Sequence, residues 1–277
     1  MNIAVIGKNG QLAQCLAREL KGFDIQFFAK EEVNIIDSAS YSSLDVADLI
    51  INCSAYTAVD KAEEYPEDAF ELNRKGVILL ANYCSAKGKA LIHFSTDFVF
   101  DGRATEPYTE EDYTGPQSVY GASKLAGEEV ILQSSLSALV VRTSWLYSPY
   151  GQNFCKTMLR LGVDRAELSV VSDQIGTPTS ALDLARAVAQ IISSGLSSSP
   201  ELLHIANSGQ CSWADFARVI FEEKGLSTTV KPISSEAFGA AATRPAYSVL
   251  STEKLLFKYG IAMRPWREAL KEVLSEL

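Results

Sequence analysis

Histidine is scarce in this chain: His93 and His204 are the only two in 277 residues. A zinc site built from several imidazoles is thereby effectively excluded. Cysteine is sparse too. Cys15, Cys53, Cys84, Cys155 and Cys211 are odd in number and widely spaced, and no two stand as Cys-x-x-Cys. This argues against a disulfide framework or a cysteine-rich metal site and favours a reducing compartment. Basic charge is in deficit, with 25 Lys plus Arg against 34 Asp plus Glu and a net −9. Such a surface repels a polyanion, so nucleic acid is not an expected partner. No segment approaches the roughly 20 apolar residues that cross a bilayer. The opening stretch, Met1 to Gly7, has no basic n-region and too short an apolar run for a secretory signal. A cytoplasmic protein with no membrane partner is the expectation. Internal repeats are absent, and Ser193–Pro200 is the single low-complexity stretch, expected as a surface loop.

What remains is the balance of a globular chain, 47% hydrophobic and 21% charged. The length suffices for one large α/β domain or two lobes sharing a core. Ile3–Ile6, Ile25–Phe28, Leu49–Ile51, Leu91–Phe94 and Leu139–Val141 are short, largely apolar runs. Parallel strands covered on both faces read this way. Between them lie helical patterns: Leu12, Cys15, Leu16 and Leu20; Pro66 through Cys84, with Gly88 as a stop; and Val119–Gln133. Alternation of this kind predicts an α/β fold with a doubly wound, Rossmann-like parallel sheet. After Trp145 turn-rich segments break the rhythm, and a smaller C-terminal α/β substrate lobe is expected. The division places a dinucleotide-binding domain at 1–147, with part of 178–210 returning to the sheet. There a helix over Ala181–Ser193 and a strand over Leu202–Ala206 are predicted. A lobe mainly for substrate spans 148–277, and in it Ser212 and Asp215 have capping-box spacing for a helix to Lys224.

Two constellations carry chemistry. The first is Gly7-Lys8-Asn9-Gly10-Gln11-Leu12-Ala13, between the first strand and the first helix. Gly7 permits a tight turn, Gly10 lets backbone approach a pyrophosphate, and Ala13 is small where helix and sheet press together. The anion would rest on N–H groups at the helix start. After the second strand come Lys30 and then Glu31-Glu32. A basic residue there suits a 2′-phosphate and an acidic one a ribose diol, so NADPH and NADH both stay open.

The second is Tyr120-x-x-x-Lys124, which puts phenol and ammonium on one helix face. An unperturbed phenol, with pKa near ~10, is a sluggish proton relay at neutral pH, and an adjacent ammonium is expected to lower that value. Ser95-Thr96-Asp97 follows directly on an apolar strand, at the sheet edge where open parallel sheets bind ligands. Thr96 or Ser95 can donate to the same carbonyl oxygen as Tyr120. Trp145 follows a strand end and reads either as core or as site. Arg244 suits a diphosphate, which its guanidinium can pair bidentately. His93 and His204, inside apolar strands, are expected as core histidines, and Lys156 with Arg160 as a solvated helix face.

Gly7-x-x-Gly10, Ser95-Thr96-Asp97 and Tyr120-x-x-x-Lys124 resemble the extended short-chain dehydrogenase/reductase superfamily. More closely, the chain is similar to the dTDP-4-dehydrorhamnose reductase family. That likeness runs through Asn52–Glu63, Ser95–Phe100, Val119–Glu128, Arg142–Tyr147, Asn153-Phe154, Asp173-Gln174-x-Gly176-x-Pro178-Thr179, Ser212-Trp213-x-x-Phe216-Ala217 and Arg244-Pro245. It implies reduction of the C4 ketone of dTDP-4-dehydro-6-deoxy-L-mannose by NADPH or NADH. Tyr120 would be the proton donor, Lys124 its partner and Thr96 the hydroxyl that tunes the carbonyl. Gly10, Gln11 and Leu12 would line the pyrophosphate, Ala55, Tyr56 and Thr57 would flank the nucleotide, and Asn34 and Ile35 would approach the adenine. Thr96, Asp97 and Trp145 would touch the sugar, with Asn153 and Arg244 assigned to the same substrate. Ala13 stands where that family has a glycine, and Asn34 where an acidic residue is common. Some members carry Mg2+ at a dimer interface; no matching ligand set is legible here, so no metal is expected, while a homodimer is compatible. Two alternatives accompany this expectation: an epimerase or dehydratase of the same superfamily, and a non-catalytic regulatory subunit. Against the first, Phe98 follows Asp97 where dehydratases typically have an acidic residue. Against the second, the Tyr–Lys pair is intact.

Overall fold

The computed structural model describes residues 1–277. The first half runs β1 (Asn2–Ile6), α1 (Gln11–Glu19), β2 (Asp24–Phe28), β3 (Leu49–Asn52), α2 (Val59–Glu64), α3 (Pro66–Phe70), α4 (Gly76–Lys87), β4 (Ala90–Thr96), α5 (Val119–Leu132) and β5 (Ala138–Thr143). The second half adds β6 (Leu146–Tyr147), α6 (Phe154–Asp164), β7 (Glu167–Val171), β8 (Ile175–Gly176), β9 (Thr179–Ser180), α7 (Ala181–Ser194), β10 (Glu201–His204), β11 (Cys211–Ser212), α8 (Trp213–Glu223), β12 (Thr229–Ile233), α9 (Ser235–Phe238), α10 (Glu253–Tyr259) and α11 (Trp266–Ser275).

Six strands form one all-parallel sheet in the order β10-β5-β4-β3-β1-β2. The chain steps outward from β1 to β2 and then crosses back to β3, β4, β5 and β10. The loops leaving β1 and β3 therefore part in opposite directions and open a crevice at the strand ends. This is the doubly wound sheet that the strand–helix rhythm predicts.

Its strands are apolar throughout because both faces are covered. Ile3, Val5, Ile51, Ile92 and Val141 join a cluster with Leu16 of α1 and Leu184 and Val188 of α7. Their neighbours Ala4, Ile6, Ile50, Leu91 and Val140 turn the other way, against Val77 and Leu80 of α4 and Ile131 of α5. The first cluster continues into Phe216 of α8 and Leu270 of α11, so the chain beyond residue 148 shares a core with the sheet.

Two elements differ from the sequence pattern. The helix expected over Pro66–Cys84 is split by one π turn, Glu71–Lys75, before α4 ends at Gly88 in the left-handed conformation. Buried Asn73 sits in that turn: its Oδ1 accepts from the Tyr56 N–H (2.9 Å), and its Nδ2 donates to the Tyr56 carbonyl (3.1 Å) and to Ser123 Oγ (2.9 Å). The strand expected to reach Ala206 ends at His204, the last residue to pair with β5, opposite Arg142. At α8 the capping box forms between Ser212 and Asp215.

Candidate active site

The crevice holds a cleft of about 650 Å³, lined from the turn after β1, the segment after β3, the end of β4, the first turns of α5 and the segment after β5. Gly7 makes the first turn possible. Its φ is +91°, and a Cβ there would stand 3.0 Å from the backbone of Cys53 and Ser54. Gly10 begins α1 with no side chain accepting from the first N–H groups and no acidic residue in the first turn. Those donors are left for an anion, and the helix dipole favours one there. The geometry fits the pyrophosphate of a dinucleotide. Gln11 ties the turn to the second half of the chain, donating to the Leu146 carbonyl (3.2 Å) and accepting from Ser148 Oγ (3.2 Å) and Asn153 Nδ2 (3.3 Å).

Ser118 caps α5, accepting from the Gly121 N–H at 3.1 Å, and so sets the helix phase that turns Tyr120 and Lys124 to the cleft. The Tyr120 ring packs edge-on against Phe98, with centroids 5.6 Å apart. Burial pushes its phenol up to about 12, opposed in part by the Thr96 hydroxyl. The lowering by Lys124 expected from sequence is not found. The Lys124 ammonium position is turned to the strand instead, donating to the Phe94 carbonyl at 2.6 Å and lying 3.3 Å from His93 Nε2. Burial pushes Lys124 down to about 8, against the pull of Glu128. A lysine whose amine is turned to a backbone carbonyl rather than to the phenol does little to favour the phenolate.

At the end of β4, Thr96 Oγ1 donates to Asp97 Oδ1 (3.0 Å) and accepts from the Phe98 N–H (3.2 Å). Burial raises the Asp97 carboxyl to about 6. Its Oδ2, with Ser95 Oγ and Thr143 Oγ1, is buried without a partner. Buried polar atoms rarely go unpaired, and three along one sheet edge point to a ligand that would engage them.

The far wall is aromatic. Trp145, at φ 45°, is the one non-glycine residue with a positive φ, strain of a kind that tends to persist at ligand sites. Its indole stacks on Trp213, with centroids 3.5 Å apart and planes 7° from parallel. The Trp213 indole N–H donates to Gln174 Oε1 (3.2 Å). A Cβ on Gly176 would come within 2.5 Å of the Trp145 ring, so that position has room for glycine only. Behind this pair a second cavity of about 650 Å³ shares Phe98, Trp145, Trp213 and Arg244 with the first. Arg244 pairs bidentately with Asp60, at 2.7 and 3.1 Å, and holds that carboxyl below its ordinary range.

Of the residues singled out from sequence, Gly10, Gln11, Leu12, Ala55, Thr57, Thr96, Asp97, Tyr120, Lys124, Trp145 and Arg244 meet on the cleft wall, with Gly7 shaping its turn. Four do not reach that wall. Ile35 is buried against Gly76, and Asn34 accepts from the Ile36 N–H (3.3 Å). Tyr56 is clamped through its backbone by Asn73, and Asn153 caps α6, accepting from the Lys156 N–H (3.1 Å). Sequence reasoning passed over Thr143, Trp213 as a partner of Trp145, and Asn73. No local pattern marks them: Trp213 and Asn73 matter through neighbours distant in the chain, and Thr143 through a buried hydroxyl left unpaired. His93 is a core histidine as expected, yet it also touches Lys124.

A parallel sheet with its phosphate turn at the switch point and a Tyr–Lys pair over the strand ends defines an oxidoreductase of the extended short-chain dehydrogenase/reductase class. The model of the RmlD substrate binding domain matches residues 1–277. A dTDP-4-dehydrorhamnose reductase of Sinorhizobium fredii is 43% identical over 100% of this chain and 98% of its own. The spore coat polysaccharide biosynthesis protein SpsK of Bacillus subtilis is 41% identical over 99% of this chain and 97% of its own. Among solved structures, the dTDP-4-dehydrorhamnose reductase of Bacillus anthracis in complex with NADP superposes with a TM-score of 0.95 at 38% identity, covering 100% of this chain and 99% of that one. The chain belongs to the RmlD family.

Proposed function

We propose that this protein reduces the C4 ketone of dTDP-4-dehydro-6-deoxy-L-mannose to dTDP-L-rhamnose with NADPH or NADH. One observation carries the proposal: the uncapped start of α1 and the Tyr120–Thr96–Asp97 cluster open onto the same cleft. Reduced nicotinamide, when bound there, supplies the hydride to C4. Tyr120 gives its phenolic proton to the carbonyl oxygen as charge develops on it and regains one from solvent afterwards. Thr96 orients that oxygen with a second hydroxyl, and Lys124, one helical turn on from Tyr120, lines the same cleft as its partner. Residues 1–147, with part of 178–210, hold the dinucleotide, while 148–277 mainly shape the sugar-nucleotide site. There the second cavity takes the nucleotide, and Arg244, released from Asp60, meets its diphosphate. Free cysteines and the net −9 suit a cytoplasmic enzyme whose partner is this small substrate rather than nucleic acid. A homodimer is compatible with this assignment.

The test is oxidation of NADH or NADPH by the purified protein with that substrate, followed by absorbance of the reduced nicotinamide. No oxidation of either would overturn the assignment. Tyr120→Phe keeps the ring packing against Phe98 and is expected to lower turnover about 10²–10⁴-fold.

A further inference from the structure

A chain of hydrogen bonds runs behind the cleft from β3 to Lys124, and its polarity is dictated at one end. The Ser54 backbone N–H can only donate, and it donates to Asn52 Oδ1 at 3.0 Å. The Asn52 amide nitrogen is therefore the atom that faces His93 Nδ1, 3.1 Å away. An amide nitrogen only donates, so Nδ1 must accept. A neutral imidazole then carries its single proton on Nε2. That N–H points at Lys124 Nζ, 3.3 Å away. An ammonium has three donors and no acceptor, and only the neutral amine offers a lone pair to meet it.

We propose that His93, oriented by Asn52, is a positioning residue that favours the neutral amine of Lys124 and so lowers its titration in the ligand-free protein. This rests on Lys124 being the partner of Tyr120, but its test does not depend on turnover. The other groups around Lys124 agree. The Phe94 carbonyl accepts one N–H of the amine at 2.6 Å. Glu128, the nearest acid on α5, is spent on Arg142 of β5 through contacts of 2.7, 3.0 and 3.1 Å. Asp97 is engaged with Thr96 at the strand end, and Tyr120 above is a neutral phenol. No carboxylate pairs with Lys124, which is itself 1% exposed. A buried amine with a donor aimed at it and no counter-ion favours the uncharged form.

With two histidines in the whole chain, the ring nitrogens can be followed individually by ¹⁵N NMR, assigned with a His204→Gln variant. His93 is expected as the neutral Nε2–H tautomer; an Nδ1–H tautomer, or a charged ring at about pH 6.5, would overturn the proposal. Lysine ¹⁵Nζ shifts, assigned with Lys124→Met, read the other half. His93→Leu is expected to raise the Lys124 titration by about one pH unit, and an unmoved titration would likewise overturn it. Should that variant not fold, Asn52→Asp serves: a carboxylate still accepts from Ser54, but now accepts from Nδ1–H too. The tautomer should flip and the lysine titrate higher. Loss of turnover in Lys124→Met tests the lysine's catalytic partnership separately, so the two ideas can fail independently.

Discussion

Asp97 is held against its preference. Burial raises its carboxyl to about 6, above the ~3.9 of an unfolded chain, and one of its oxygens has no partner. Between those values the folded state binds the extra proton, so stability is lost as pH rises through that window and stays lost above it. Asp97→Asn is therefore expected to stabilise the protein by about 1–3 kcal/mol near neutral pH and by little near pH 4, read by urea unfolding at both. Equal gains at the two values would show that ionisation is not the cause. Gly176 acts at the same scale by what it omits. A methyl group there would displace the Trp145 indole and its stack on Trp213. Gly176→Ala should raise KM for the sugar nucleotide with a smaller change in kcat, and steady-state kinetics would show whether the split runs that way.

At the scale of the element, α5 does most to place the proposed chemistry, and its glycines set how closely it lies. A Cβ at Gly121 would stand 2.2 Å from the Phe98 carbonyl oxygen, and one at Gly127 would stand 2.3 Å from that of Asn73. Alanine raises helix propensity by about 1 kcal/mol over glycine, yet here it would force the helix off the turn after β4 or off the π turn. Overpacking wins. Gly121→Ala is expected to cost about 1–3 kcal/mol in chemical denaturation and to lower turnover on the order of tenfold or more by misplacing Tyr120. A more stable variant would mean that propensity outweighs packing. The π turn at Glu71–Lys75 belongs to the same arrangement, since it delivers Asn73 to both Ser123 and the backbone of Tyr56.

Across the whole molecule, the two buried histidines are the first groups to work against the fold as pH falls below neutral. Burial, with the nearby Arg142 charge, lowers His204 to about 3, and burial drives His93 well below 6.5. Both folded values are depressed, so the unfolded chain gains protons below ~6.5 that the folded one refuses, and stability falls as pH falls. Asp97 and Glu110, both raised by burial, work in the opposite sense, while the lowered carboxyls of Asp60 and Glu272 act with the histidines at lower pH. The melting temperature should be level around neutral pH and decline below about 6.5, and His204→Gln should flatten that decline. A profile level to about pH 4 would contradict the assignment of both rings as buried and neutral.

Much of this architecture was legible without coordinates. Strands apolar on both faces, short turns and the glycines at 7 and 10 impose a doubly wound sheet through local sterics and burial alone. Tyr120 and Lys124 share a helix face because four residues are about one turn. Contacts between remote segments were not legible. Trp213 meets Trp145, Asn73 reaches Ser123, and Arg244 closes on Asp60 only once the chain has folded. The direction of the Tyr120 shift belongs there as well. Spacing puts an amine near a phenol, but whether that amine is charged depends on solvent exclusion and on which hydrogen-bonding atom each neighbour presents, and packing alone decides both.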